Sequence, residues 1–243
     1  MSASCWSFRA LWLPLVLMSA AADEQGEGCS GSAKRCGNLT MSDPFWLADE
    51  GTGRSCGSPD FVAVCDSNFT GFTSPVLRSA MPFSDGFAIL NISYEDRSLH
   101  VIDVGKVHVL QVANSCHVPI WNSSVKLRPS FRIDPANVNL IFYNCTEVAA
   151  AAAVARSDLG LARTMVRCGN EWEVLVRVGV PYDVTGNYGG YALEGCHAVV
   201  MPIMGSSTGA NASDYERLIG DGFLLTWLEP PHRARKFTRQ ITF

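Results

Sequence analysis

Past its first 22 residues the chain has no long apolar run. Stretches such as Val148 to Ala155 fall far short of the roughly 18 residues that read as a membrane span. Charge is scarce too: Asp, Glu, Lys and Arg make up 17% of the residues, and the basic ones are the minority. The five histidines, His100, His108, His117, His197 and His232, form no H-E-x-x-H or comparable metal spacing. No two cysteines stand as Cys-x-x-Cys, which argues against a zinc site or a redox pair. No repeat of fixed period is present, and an apolar content of 47% is that of a globular chain, not a disordered one.

What is present begins with a leader. Arg9 precedes an apolar stretch from Ala10 to Ala22, broken only by Pro14 and Ser19, and Ala20-Ala21-Ala22 fits a cleavage site before Asp23. Residues 1–22 are therefore read as a signal peptide. Its loss removes Cys5 and leaves the even set Cys29, Cys36, Cys56, Cys65, Cys116, Cys145, Cys168 and Cys196. Even parity predicts structural disulfides formed in an oxidising compartment, with the connectivity left open. Six sequons, at Asn38, Asn68, Asn91, Asn122, Asn144 and Asn211, predict a glycosylated surface, although Asn144 adjoins a cysteine that folding would shield.

Alternating or β-branched runs at Phe61–Val64, Phe87–Tyr94, Leu99–Val104, Val107–Val112, Val138–Tyr143, Glu173–Val180 and Ala198–Ile203 read as strands. Gly, Pro, Asn and Asp separate them at the short intervals of antiparallel hairpins. Two short helices are predicted, one in the alanine run Ala149–Arg156 and one over Ser213–Ile219. In the second, Ser213 and Glu216 form a capping box. The expected fold is mainly β: a disulfide-rich antiparallel β-sheet module in two consecutive subdomains with few short helices. The expected division is a signal peptide over 1–22, a cysteine-rich domain over 23–147, a second domain over 148–228 and a basic, disordered tail over 229–243.

The cysteine-framed words are distinctive. Cys36-Gly37-Asn38-Leu39-Thr40-Met41-Ser42-Asp43-Pro44-Phe45-Trp46 is followed by Cys56-Gly57-Ser58-Pro59-Asp60-Phe61-Val62-Ala63-Val64-Cys65. They resemble the galacturonan-binding ectodomain of plant wall-associated receptor kinases and of the leaf-rust-resistance-type receptor-like kinases. Asp43 stands where the family usually has tyrosine. The resemblance continues through Ala88–Tyr94, Cys116-His117-Val118-Pro119 and Leu140–Thr146. Cys196–Met204 and Tyr215–Trp227 look like the companion C-terminal domain of those receptors. The family's usual cysteine-rich ending, membrane span and kinase are not found, so the resemblance implies a truncated product.

The resemblance implies a secreted, cell-wall polysaccharide receptor module with pectin or oligogalacturonide as partner. Without the leader the chain holds 18 basic and 23 acidic residues, a net of −5, and from residue 228 backward the net is −8. Long-range attraction for a polyanion, nucleic acid included, is not expected. Affinity must then come from a local patch or from bridging Ca²⁺, with no resident cofactor or metal. The candidate patch is Trp121, Lys126, Arg128 and Arg132, the three cations sharing one parity of an extended segment; arginine grips a carboxylate in a two-pronged fashion. A weaker candidate joins Lys34 and Arg35 to Trp46, with Phe45 and Trp46 expected to pack inward.

Enzymatic readings fare worse. Gly205-Ser206-Ser207-Thr208-Gly209 has the form of a nucleophile elbow, but only His232 lies downstream and no parallel α/β scaffold is predicted. Glu171 and Glu173 flank Trp172 on one strand, whereas a glycosidase needs carboxylates on opposite sides of a bond. The sequence therefore predicts binding without turnover. The alternative is an apoplastic protein-interaction module or decoy co-receptor, which an exposed apolar patch would favour.

Overall fold

The computed structural model describes residues 33–48, 57–67, 73–111, 118–156, 160–168, 172–207 and 209–228. The predicted leader and tail, Cys29, Cys56, Cys116, Asn68 and Glu171 lie outside the described residues, as does the side chain of Cys168. Strands β1 (Lys34–Cys36), β2 (Leu39–Met41), β3 (Trp46–Leu47), β4 (Val62–Asp66), β5 (Ser74–Leu77), β6 (Phe87–Ser93) and β7 (Ser98–Asp103) lead into helix α1 (Val104–Gln111). They are followed by β8 (Phe131–Ile133), β9 (Val138–Thr146), α2 (Glu147–Ala155), β10 (Leu161–Cys168), β11 (Trp172–Pro181), β12 (Cys196–Ile203), α3 (Tyr215–Gly220) and β13 (Phe223–Trp227).

The fold is mainly β, as expected. A seven-stranded sheet runs in the order β3-β4-β5-β6-β7-β13-β8, antiparallel except for β3 beside β4. A four-stranded antiparallel sheet runs β10-β11-β9-β12, and β1 and β2 form a separate hairpin. β9 is buried on both faces: Leu140 and Phe142 enter one apolar cluster, Ile141 and Tyr143 another. That double burial is why its sequence is a continuous apolar run rather than an alternation.

Two disulfides join described residues. Cys36–Cys65 ties the first hairpin to β4, and Cys145–Cys196 cross-links β9 to β12 at directly paired positions. Their sequence separations are 29 and 51 residues. In the chain-entropy model, closing loops of such lengths stabilises the fold by roughly 4 kcal/mol each.

The division expected at 147/148 does not separate the sheets. β9, before that point, forms the second sheet with β10, β11 and β12 from beyond it, and β13, near the C-terminal end, enters the first sheet between β7 and β8. The driving force is apolar: Phe223, Leu225 and Trp227 point from β13 into a core with Phe45, Phe61, Phe87, Leu99 and Phe131. Trp227 meets Phe45 edge-on at 4.9 Å between ring centroids. Buried Asn137 holds the junction, donating from Nδ2 to the Leu224 carbonyl at 2.8 Å and accepting from the Leu224 N–H at 2.9 Å.

Two local expectations change. Val107–Val112, read as a strand, lies within α1 as far as Gln111. Its apolar residues fit a helical spacing as well as an alternating one, and Val107 and Leu110, one turn apart, pack on the cluster that holds Leu218 and Ile219 of α3. Ser213 does not cap α3. Asn211 accepts from the Ser213 N–H at 3.0 Å, opening a 3₁₀ turn over Ala212–Asp214, and Glu216 instead accepts from the Tyr215 hydroxyl at 3.0 Å. The alanine run forms α2 as expected, capped by Thr146, whose hydroxyl accepts from the Ala149 N–H.

Candidate functional site

The four predicted contact residues lie on or just beyond a strap that runs from Val118 across the end of β7 to β8. The strap is not extended: Ser123–Lys126 is a 3₁₀ turn, so Lys126 and Arg128 do not share the face that an extended parity assigned them. Lys126 is buried. Its ammonium lies 2.5 Å from Asp103 Oδ1 and 5.1 Å from the Phe87 ring centroid. Asp103 also accepts from Ser123 Oγ at 2.9 Å and from the Lys106 N–H at 3.4 Å. A carboxylate buried this deeply at the end of a strand requires a countercharge, and that requirement draws Lys126 inward.

Lys106 belongs to the same cluster, and its ammonium donates to the Trp121 carbonyl. Burial lowers its pKa from 10.5 to about 8; Asp103 opposes the shift and Lys126 adds to it. Above this polar base, the strap exposes Ile120, Trp121 and Val125.

Arg128 is also in structural use. It donates from Nε to the Arg78 carbonyl at 3.3 Å and from Nη2 to the Ser79 carbonyl at 3.4 Å, and it faces Asp60 at 3.7 Å. Arg132, on the edge strand β8, is exposed, with Nη1 donating to the Pro129 and Phe131 carbonyls. The structure therefore brings Trp121 and Lys126 together through Lys106 and Asp103, leaves Arg128 bracing a neighbouring loop and sets Arg132 on another strand.

At the weaker candidate, Phe45 is buried and Trp46 packs against the same core, with Nε1 donating to the Ser58 carbonyl at 3.2 Å; Lys34 and Arg35 are exposed. Ser207 ends a 3₁₀ turn that follows the antiparallel edge strand β12. Glu173 pairs with Arg163 at 3.2 Å. Among the described residues no group of three or more His, Cys, Asp or Glu is placed to hold a metal ion. No helix among them is long and apolar enough to cross a membrane. Of the described sequons, Asn38, Asn91, Asn122 and Asn211 are exposed, while Asn144 is half-buried.

One residue escaped the sequence reading. Phe83, in the loop between β5 and β6, is fully exposed and has φ +58°. A left-handed backbone costs a residue bearing a Cβ about 1–2 kcal/mol, and an aromatic there is a rare occupant. No sequence period marks such a position. Pro82 before it and Ser84-Asp85-Gly86 after it announce only a turn.

No curated protein and no solved structure matches the chain. A family model does, and it ends at the last residue of β7, so the strap, β8 and β13 lie outside it. Residues 29–103, which include β1 to β7 and the Phe83 loop, match the family described as wall-associated receptor kinase galacturonan-binding, the family that the cysteine-framed motifs resemble.

Proposed function

We propose that this chain is an extracellular module that binds acidic wall polysaccharide, galacturonan of the pectin class, and performs no chemical step. The match of residues 29–103 carries the reading. The predicted leader, the sequons and the described disulfides agree with an exported protein. With acidic residues in excess, attraction has to be local or assisted by Ca²⁺ bridging carboxylates of polymer and protein. The test is calorimetric titration of the secreted, glycosylated protein with oligogalacturonides of graded length, with and without Ca²⁺ and at several salt concentrations. Saturable binding that salt weakens is expected; no binding under any of these conditions overturns the proposal.

The exposed apolar strip Ile120, Trp121 and Val125 favours a second reading, a module that recognises another protein in the wall space. Under that reading Trp121→Ala leaves oligogalacturonide binding untouched and abolishes association with the protein partner.

A further inference from the structure

We infer that the loop between β5 and β6 is the element that grips the sugar, Phe83 supplying a platform for one galacturonate ring and Arg78 the cation for its carboxylate. The inference rests on the galacturonan reading above and assigns it a place.

Two features of Phe83 do nothing for folding. It is fully exposed, and its backbone is left-handed at φ +58°. Residues held in sparsely populated backbone regions persist only when their surroundings enforce them, and they cluster at ligand clamps. Enforcement is visible here. Ser84 Oγ donates to Ser79 Oγ at 2.6 Å, the Met81 N–H donates to Ser79 Oγ at 3.0 Å, and the Ala80 N–H donates to the Lys126 carbonyl at 2.8 Å. Arg128 closes the base by donating to the carbonyls of Arg78 and Ser79. Gly86, at the exit, lies so close to Leu77 that an added Cβ would stand 1.8 Å from its carbonyl oxygen. The loop is thus fixed before any ligand arrives, which reduces the ordering cost of binding.

Arg78 opens the same loop. It is exposed, and no carboxylate among the described residues lies within ion-pair distance of it, whereas Arg128 and Arg163 each have one and Arg217 has two. A galacturonate ring carries an apolar face, with its C3, C4 and C5 hydrogens, and a carboxylate at C6. The apolar face suits an exposed phenyl ring, and the carboxylate suits a guanidinium fork. A ligand with one apolar face and one negative edge offers a partner to each of these two residues of one loop.

The experiment titrates oligogalacturonide into the wild-type glycoprotein and into Phe83→Ala, Phe83→Trp and Arg78→Gln variants by calorimetry. A neutral oligogalactan serves as a second ligand, and melting temperature is the check on folding. Phe83→Ala is expected to weaken oligogalacturonide binding about tenfold or more and Phe83→Trp to retain it. Arg78→Gln should weaken the acidic ligand about tenfold, lessen its salt dependence and leave the neutral one unaffected. Melting temperatures should not fall, because both side chains are exposed and neither forms a hydrogen bond or ion pair among the described residues. If the wild type binds and the Phe83→Ala and Arg78→Gln variants bind equally well, or if Phe83→Trp loses binding, the inference about the loop fails while the galacturonan reading stands. If the wild type does not bind, the galacturonan reading itself fails.

Discussion

Lys126 and Asp103 form a buried ion pair at 2.5 Å under the strap, each almost wholly shielded from water. The consequence is energetic rather than functional. Removing Lys126 leaves the Asp103 carboxylate buried without its direct ion-pair partner, held by Ser123, a backbone N–H and the more distant Lys106 charge. Lys126→Met is therefore expected to destabilise the fold by about 3–5 kcal/mol. The double variant Lys126→Met/Asp103→Leu should recover most of that loss. Guanidinium unfolding with disulfides intact measures both; a single-variant loss under about 1 kcal/mol would place the pair with exposed salt bridges instead.

Lys106 makes stability depend on alkaline pH. In the folded state its proton leaves near pH 8, while the unfolded chain holds it to about 10.5. Between those values the unfolded state binds more protons, so this group's contribution to stability rises with pH. At neutral pH it costs about 3 kcal/mol. Asp103 and Lys126 are the charged groups that set it alongside burial. Lys106→Met keeps most of the stem's packing, and it should raise stability at pH 7 and flatten the slope between pH 8 and 10. An unchanged slope in denaturant midpoints over that range refutes the assignment.

Trp227 ends β13, the strand inserted between β7 and β8. Its indole packs against Phe45 and Tyr94, and the Trp227 backbone N–H donates to the Arg97 carbonyl at 3.1 Å. Trp227→Ala is expected to cost about 3–5 kcal/mol. Because β13 lies between β7 and β8, hydrogen exchange should quicken in both flanking strands. Quickening confined to β13 itself would show that β7 and β8 hold without it.

Glycan occupancy should be unequal. Asn91 is exposed on the solvent side of β6 and Asn38 sits at the exposed β1–β2 turn. Asn144 is paired in register with both Val174 and His197, has a buried Oδ1, and precedes the disulfide-bonded Cys145. Glycopeptide mass spectrometry is expected to find Asn38 and Asn91 occupied and Asn144 largely bare. Full occupancy at Asn144 would mean that modification there precedes formation of the second sheet.

Some of this protein was written locally. The strands β4, β6, β7, β9, β11 and β12 are legible because a half-buried or fully buried strand needs an apolar pattern that its own residues carry. The cysteine-framed words identify residues 29–103 because a disulfide-bonded hairpin fixes both its spacing and its composition. The alanine run announces α2, since Thr146 caps it within the same segment.

Other features depend on partners distant in sequence. Whether Val107 and Leu110 alternate along a strand or stack on a helix turns on the apolar surface of α3, more than 100 residues away. Lys126 reads as a surface cation until β7 buries Asp103 beside it, and Phe83 reads as an ordinary aromatic until its loop is clamped with the ring outside. The insertion of β13 between β7 and β8 has no local signature, because strand pairing is a contest among all available edges. Sequence alone determined six of the strands, β4, β6, β7, β9, β11 and β12, and the family that the framing of residues 29–103 matches. The tertiary structure decided which strands become neighbours and which charged and aromatic side chains remain in water, since burial depends on what the rest of the chain brings alongside.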